Sequence, residues 1–144
     1  MKRKNLIIGA IAGDIIGSIF EWDNIKTVKF DLFCRSSTFT DDSVLTLATM
    51  SALLNKTDYG QTYHTFGRKF SNKGYGPKFG LWLRSDYPKP YNSWGNGSAM
   101  RVSPIGWYFN NIEETLLEAK KAPKLLIIIP KELKERRQLL WQFS

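Results

Sequence analysis

Thr38-Phe39-Thr40-Asp41-Asp42-Ser43-Val44 constrains this chain more than any other stretch of it. Three hard oxygen donors, Thr40, Asp41 and Asp42, stand consecutively and run directly into an apolar helical pattern of Val44, Leu45, Leu47, Ala48, Leu53 and Leu54. Adjacent carboxylates repel, so holding two of them at the mouth of an apolar helix costs stability unless positive charge lies near. The dipole and free N–H groups of a helix N-terminus supply part of that charge. A hard cation such as Mg²⁺, Mn²⁺ or Ca²⁺ would supply more, because such ions take carboxylate, hydroxyl and water oxygens. The residues alone leave two readings open, an Asp-rich helix cap with a solvated face or one side of a metal site.

A chain of 144 residues is one domain's worth and long enough to bury a core. Its net charge is +8, but Lys and Arg are scattered rather than striped, except at Lys2-Arg3-Lys4 and in the last 23 residues. That pattern argues against a nucleic-acid surface. The single cysteine, Cys34, excludes an internal disulfide and a cysteine-rich zinc site, which suits a reducing cytoplasm. With no histidine or metal motif beside it, Cys34 is expected to be packed rather than reactive. The basic start and the apolar run Leu6–Phe20 imitate a signal peptide, but Asp14 interrupts the run and no small-residue cleavage site follows. The run is also too short to span a bilayer, so no membrane segment is expected.

In chain order, Leu6 to Phe20 reads as a buried helix, apolar nearly all round, with Gly9, Gly13 and Gly17 forming a flat ridge for a second helix. Asp14 in that run needs a partner. Asp23 to Ser37 reads as a loop with a short extended piece. The helix that begins at Thr40 runs to about Leu54 and ends in the turn residues Asn55–Gly60. A second helix covers Gln61 to Ser71 and carries His64, the only histidine, read as a surface or packed side chain rather than a ligand. Gly74–Gly80 is a loop, Leu81–Leu83 a short helical turn, and Tyr87–Tyr91 a rigid extended connection. Gly95-Asn-Gly-Ser-Ala-Met places two glycines about an asparagine before small residues that open a helix, a geometry that brings backbone N–H groups to an anion. Taken alone it reads more readily as a turn with a cap. Arg101 is read as the partner of an internal carboxylate, Val102–Phe109 as the start of a buried helix, and Ile112–Lys121 as an amphipathic helix. Glu113 and Glu114 at its start and Lys120 and Lys121 at its end suit the helix dipole.

Three stretches, Gly9–Glu21, Thr38–Val44 and Gly95–Gly106, in this order and at these spacings, resemble the ADP-ribosylglycohydrolase family, also called the dinitrogenase-reductase-activating or crystallin-J1-like family. The resemblance covers roughly residues 5 to 121. It implies an all-α fold, an orthogonal multi-helix bundle about a binuclear Mg²⁺ or Mn²⁺ cleft. It implies hydrolysis of the bond between ADP-ribose and a protein side chain, most familiarly arginine, so that the partner is an ADP-ribosylated protein or ADP-ribose itself. By resemblance Thr40, Asp41 and Asp42 match metal ligands and Glu21 a group beside ribose and metal. Asn96, Gly97, Ser98 and Met100 match the segment that holds ribose and diphosphate.

The resemblance stops after Lys121. The family continues with a stretch like S-A-E-x-T-H-N-H-P-E-G-I-K-G-A and, in a second half, an acidic D-x-D-T cluster, neither of which residues 122–144 contain. Read one register over, with a single base restored in the Lys120–Lys121 codons, synonymous codon choices turn this tail into A-E-I-T-H-N-H-P-E-G-I-K-G-A. The tail is therefore expected to be a frameshifted end and the chain a truncated, N-terminal half of the family domain. The competing function is then an inactive fragment, at most a weak nucleotide- or partner-binding protein. As a peptide in its own right the tail reads as a strand at Leu125–Ile129 and a basic helix at Lys131–Phe143.

Overall fold

The computed structural model describes residues 6–91 and 96–124, and the strand and helix expected in the tail lie outside them. Six α-helices make up the described fold: α1 (Leu6–Gly17), α2 (Asp41–Asn55), α3 (Tyr59–Lys69), α4 (Pro77–Arg84), α5 (Ser103–Tyr108) and α6 (Ile112–Lys124). Two 3-10 turns, Ser18–Phe20 and Asn96–Ser98, complete it. No helix among the described residues is long and apolar enough to cross a membrane. The all-α expectation holds.

The middle of the bundle is α2, which packs against α1, α3 and α5. Thr40 caps it, its side chain accepting from the Asp42 N–H, and the Asp41 N–H donates to the Lys73 carbonyl at 2.7 Å. Two of the orphan donors at the helix start are thereby satisfied. Its other end closes on Lys56, whose left-handed backbone (φ 55°) lets the N–H reach the Ala52 carbonyl. Because α2 has neighbours on several sides, its buried residues run from Ser43 to Leu53 and include Thr46 and Thr49 beside Val44, Leu45 and Ala48. The two buried threonines are hydrogen-bonded, Thr46 to the Met100 carbonyl at 3.1 Å and Thr49 to the Leu45 carbonyl and the Tyr63 hydroxyl at 2.9 Å each. The core then spreads through Tyr59 and Tyr63 of α3, Phe79, Trp82 and Leu83 of α4, Ile105 of α5 and Ala122 of α6.

Several boundaries differ from the sequence expectation. Asp58 caps α3 by accepting from the Gln61 N–H, so that helix starts at Tyr59, inside what reads as a turn. Pro77 at the first position of α4 extends the expected turn at Leu81–Leu83 into eight residues, because proline is suited to that position. Helix α6 runs three residues past Lys121. The helix expected over Val102–Phe109 is α5, Ser103–Tyr108, and it does not open at the glycine-rich stretch before it, where Asn96–Ser98 make a three-residue 3-10 turn instead.

The larger correction concerns α1, which is not buried. Residues 7–17 are all partly or fully exposed, and among the described residues a Cβ added at Gly9, Gly13 or Gly17 would meet nothing within 4 Å. No described helix packs on the glycine ridge. The loop that follows, Glu21–Thr40, likewise leaves Trp22 91% and Val28 93% exposed and forms no strand.

Candidate functional site

Asp14 finds its partner in the start of α2. One carboxylate oxygen accepts from the Thr40 N–H at 2.8 Å, the Ser43 N–H at 3.1 Å and the Ser43 hydroxyl, and the other accepts from the Thr40 hydroxyl. Four donors on one carboxylate, two of them backbone, fix the side chain and the helix mouth together. Sequence reading missed Asp14 as a site-building residue, although a lone acid in an apolar run was the signal.

With Thr40 and Ser43 turned toward Asp14, Asp41 and Asp42 stand beside them, both partly buried. Burial pushes the Asp41 carboxyl up to about 6, helped by repulsion from Asp42, Glu21 and Asp14. Asp42 is raised by burial too, and by Asp14 and Glu21, while Arg101 pulls it back. Glu21 is itself exposed, just past the Ser18–Phe20 turn, but its charge reaches both aspartates. The motif residues Glu21, Thr40, Asp41 and Asp42 are therefore brought to one acidic edge. Its oxygens are of the kind a divalent cation takes. Among the described residues, no three His, Cys, Asp or Glu side chains gather closely enough to form a metal site by themselves.

The Asn96–Met100 segment is tied to the same helix, α2. Asn96, Gly97 and Ser98 form the 3-10 turn, and Met100 packs partly buried against the core. The N–H groups of Ala99 and Met100 both donate to the Asn96 carbonyl, so they serve the turn itself rather than a free helix start. Thr46, one turn along α2 from Asp42, ties the segment to that helix through the Met100 carbonyl. Arg101, expected to hold a carboxylate, forms no ion pair among the described residues, although its charge is felt by Asp42. Its Nε donates to the Gly97 carbonyl, and its guanidinium lies 4.8 Å from the Tyr63 ring centre and 5.8 Å from that of Phe79.

Two further residues resolve simply. His64 is packed, with Nε2 3.0 Å from the Ser85 carbonyl and its ring edge-on to Trp82. Cys34 is exposed, contrary to expectation. The Ser36 hydroxyl, then that of Ser37, lowers its thiol to about 7. A cavity of about 750 Å³ is lined by Arg68, Tyr75, Pro77, Leu83 and Arg84 among others, and none of the motif residues lines it. Gly74 stands at the wall between the two, lining the cavity while its α-carbon faces Asp41.

The sequence model of one protein family, described as ADP-ribosylglycohydrolase, matches residues 2–125. No solved structure matches the chain.

Proposed function

The chain belongs to the ADP-ribosylglycohydrolase family, and from that premise we propose that it serves metal-dependent removal of ADP-ribose from a protein side chain, arginine foremost. The observation that supports this reading is the acidic edge, where Asp41 and Asp42 are held side by side and partly buried by an Asp14 that is already committed to Thr40 and Ser43. Such crowding is costly in an empty fold and becomes favourable when a cation shares it.

Asp41 and Asp42, with the Thr40 hydroxyl, would hold Mg²⁺ or Mn²⁺. When bound, the ion supplies positive charge for the ribose hydroxyls and for a water. Asp14 keeps the three donors in register. Glu21 would orient the attacking water, whose oxygen bonds to the anomeric carbon as the carbon–nitrogen bond breaks and a proton passes to the departing guanidine nitrogen. Asn96, Gly97, Ser98 and Met100 would bind the ribose and diphosphate. Because Ala99 and Met100 spend their N–H groups inside the turn, that binding falls to the side chains of Asn96 and Ser98 and to the close approach Gly97 permits.

A second reading, binding of ADP-ribose without turnover, draws its support from the absence of a third converging acidic ligand among the described residues. Calorimetric titration of the full chain with Mg²⁺, Mn²⁺ and ADP-ribose, alongside release of ADP-ribose from modified arginine, separates the two. Metal-dependent binding with turnover, lost in Asp41→Asn and Asp42→Asn, upholds the hydrolase. Binding without turnover upholds the second reading, and no binding of metal or ADP-ribose overturns both.

A further inference from the structure

Arg101 is the most buried cation described, 2% exposed, and among the described residues no carboxylate forms an ion pair with it. Burying an unpaired guanidinium is expensive, so the fold must draw something from it. What it draws is visible in the contacts. The Nε donates to the Gly97 carbonyl in the middle of the Asn96–Met100 turn, and the planar head lies over Tyr63 of α3 and beside Phe79 of α4. Tyr63 is in turn held by Thr49 of α2 through its hydroxyl, and Thr46 of α2 holds the Met100 carbonyl. A polar chain thus runs from α2 through Tyr63 and Arg101 to Gly97 and returns from Met100 to α2. Among the described residues, the turn's own backbone bonds are the two donations to the Asn96 carbonyl and that of Val102 to Ala99, and it is further held by Met100 packing on the core and by contact with α6. Among the described residues Nη1 has no hydrogen-bond partner, so the head is held by the Gly97 carbonyl, the Tyr63 hydroxyl and two ring faces rather than by a full set of acceptors.

We propose that Arg101 is a positioning residue. It touches no substrate, and it pins the Asn96–Met100 turn to α2 and α3 so that the turn stands in a fixed relation to the acidic edge on α2. The proposal rests on the reading of that turn as the ADP-ribose-binding segment. Lysine is not a substitute: it keeps the charge but has neither the Nε donor nor the flat face that stacks on a ring.

The test uses the full chain with Arg101→Lys and, as a milder second variant, Thr46→Val, which removes the hydroxyl bond to Met100 at nearly constant volume. With ¹³C-methyl methionine, Met50 on α2 and Met100 in the segment report separately on the helix and on the turn. Arg101→Lys is expected to move the Met100 methyl resonance toward its unfolded-chain position while Met50 stays. ADP-ribose affinity in Mg²⁺ is expected to fall at least tenfold, with Mn²⁺ affinity changed less than twofold. Thr46→Val is expected to move Met100 the same way by a smaller amount, and it decides the matter if Arg101→Lys does not fold. An unmoved Met100 in a folded variant overturns the proposal, as does a parallel loss of Mn²⁺ and ADP-ribose affinity, which a merely structural role would give. Wild-type chain that binds no ADP-ribose overturns the functional reading instead, and the Met100 signal still decides the role of Arg101.

Discussion

At Asp41 the electrostatics of the acidic edge are most exposed to measurement. Its carboxyl ordinarily titrates near 3.8 and is raised to about 6 by burial and by Asp42, Glu21 and Asp14. The folded chain therefore binds a proton between pH 4 and 6 that the unfolded chain has already released, and stability gained from that proton is lost as pH rises through about 6. Without metal, Asp41→Asn is expected to melt above wild type at pH 7, with the gain shrinking through pH 6 and gone near pH 4; thermal melts across that range check it. Partial exposure of Asp41 screens the effect, so a few degrees is the scale. The run of donors was legible as a sequence, and so was the need of Asp14 for a partner. That the partner is the helix mouth 26 to 29 residues away was not, because a hydrogen bond at that separation leaves no local pattern. Arg101 was misread for a related reason. A buried arginine is most simply paired with a carboxylate, and only the fold brings Tyr63 and the Gly97 carbonyl to it instead.

Helix ends and crossings obey simpler rules, and two substitutions test them. Lys56 closes α2 with φ 55°, a conformation that costs a side-chain-bearing residue and suits glycine. Lys56→Gly is expected to raise stability by about 0.5–1 kcal/mol, seen as a higher urea midpoint with an unchanged slope. At the crossing of α3 and α4 the opposite holds. A Cβ on Gly67 would stand 2.4 Å and 2.9 Å from the two methyls of Leu83, a buried side chain of the core that would have to shift. Gly67→Ala is expected to cost about 1–3 kcal/mol in the same denaturation experiment. Most helices were readable from caps and periodicity: Thr40 before α2, the dipole-matched charges on α6. The ends that were misplaced are those where one residue overrides its neighbours, Asp58 as a cap within a turn-like run and Pro77 as a first helical residue.

Taken whole, the molecule is a well-packed centre with a loosely covered flank. The core surrounds α2 and α3, whereas α1 buries none of its residues 7–17 and is joined to α2 chiefly by Asp14. Amides of α1 should accordingly exchange with solvent at least a hundredfold faster than those of Val44–Leu53, in a local opening that does not require global unfolding. Hydrogen exchange followed by mass spectrometry reads this directly, and equal protection of the two helices would contradict it. Sequence by itself determined the helical class, the family and the placement of two carboxylates at the start of an apolar helix, because caps, 3.6-residue periodicity and a consecutive motif are all local. Tertiary structure alone decided which groups answer Asp14, what Arg101 is for and whether an apolar helix is covered. Each of these depends on residues far apart in the chain meeting in space, and hydrophobicity says that a face favours burial without saying that a partner reaches it.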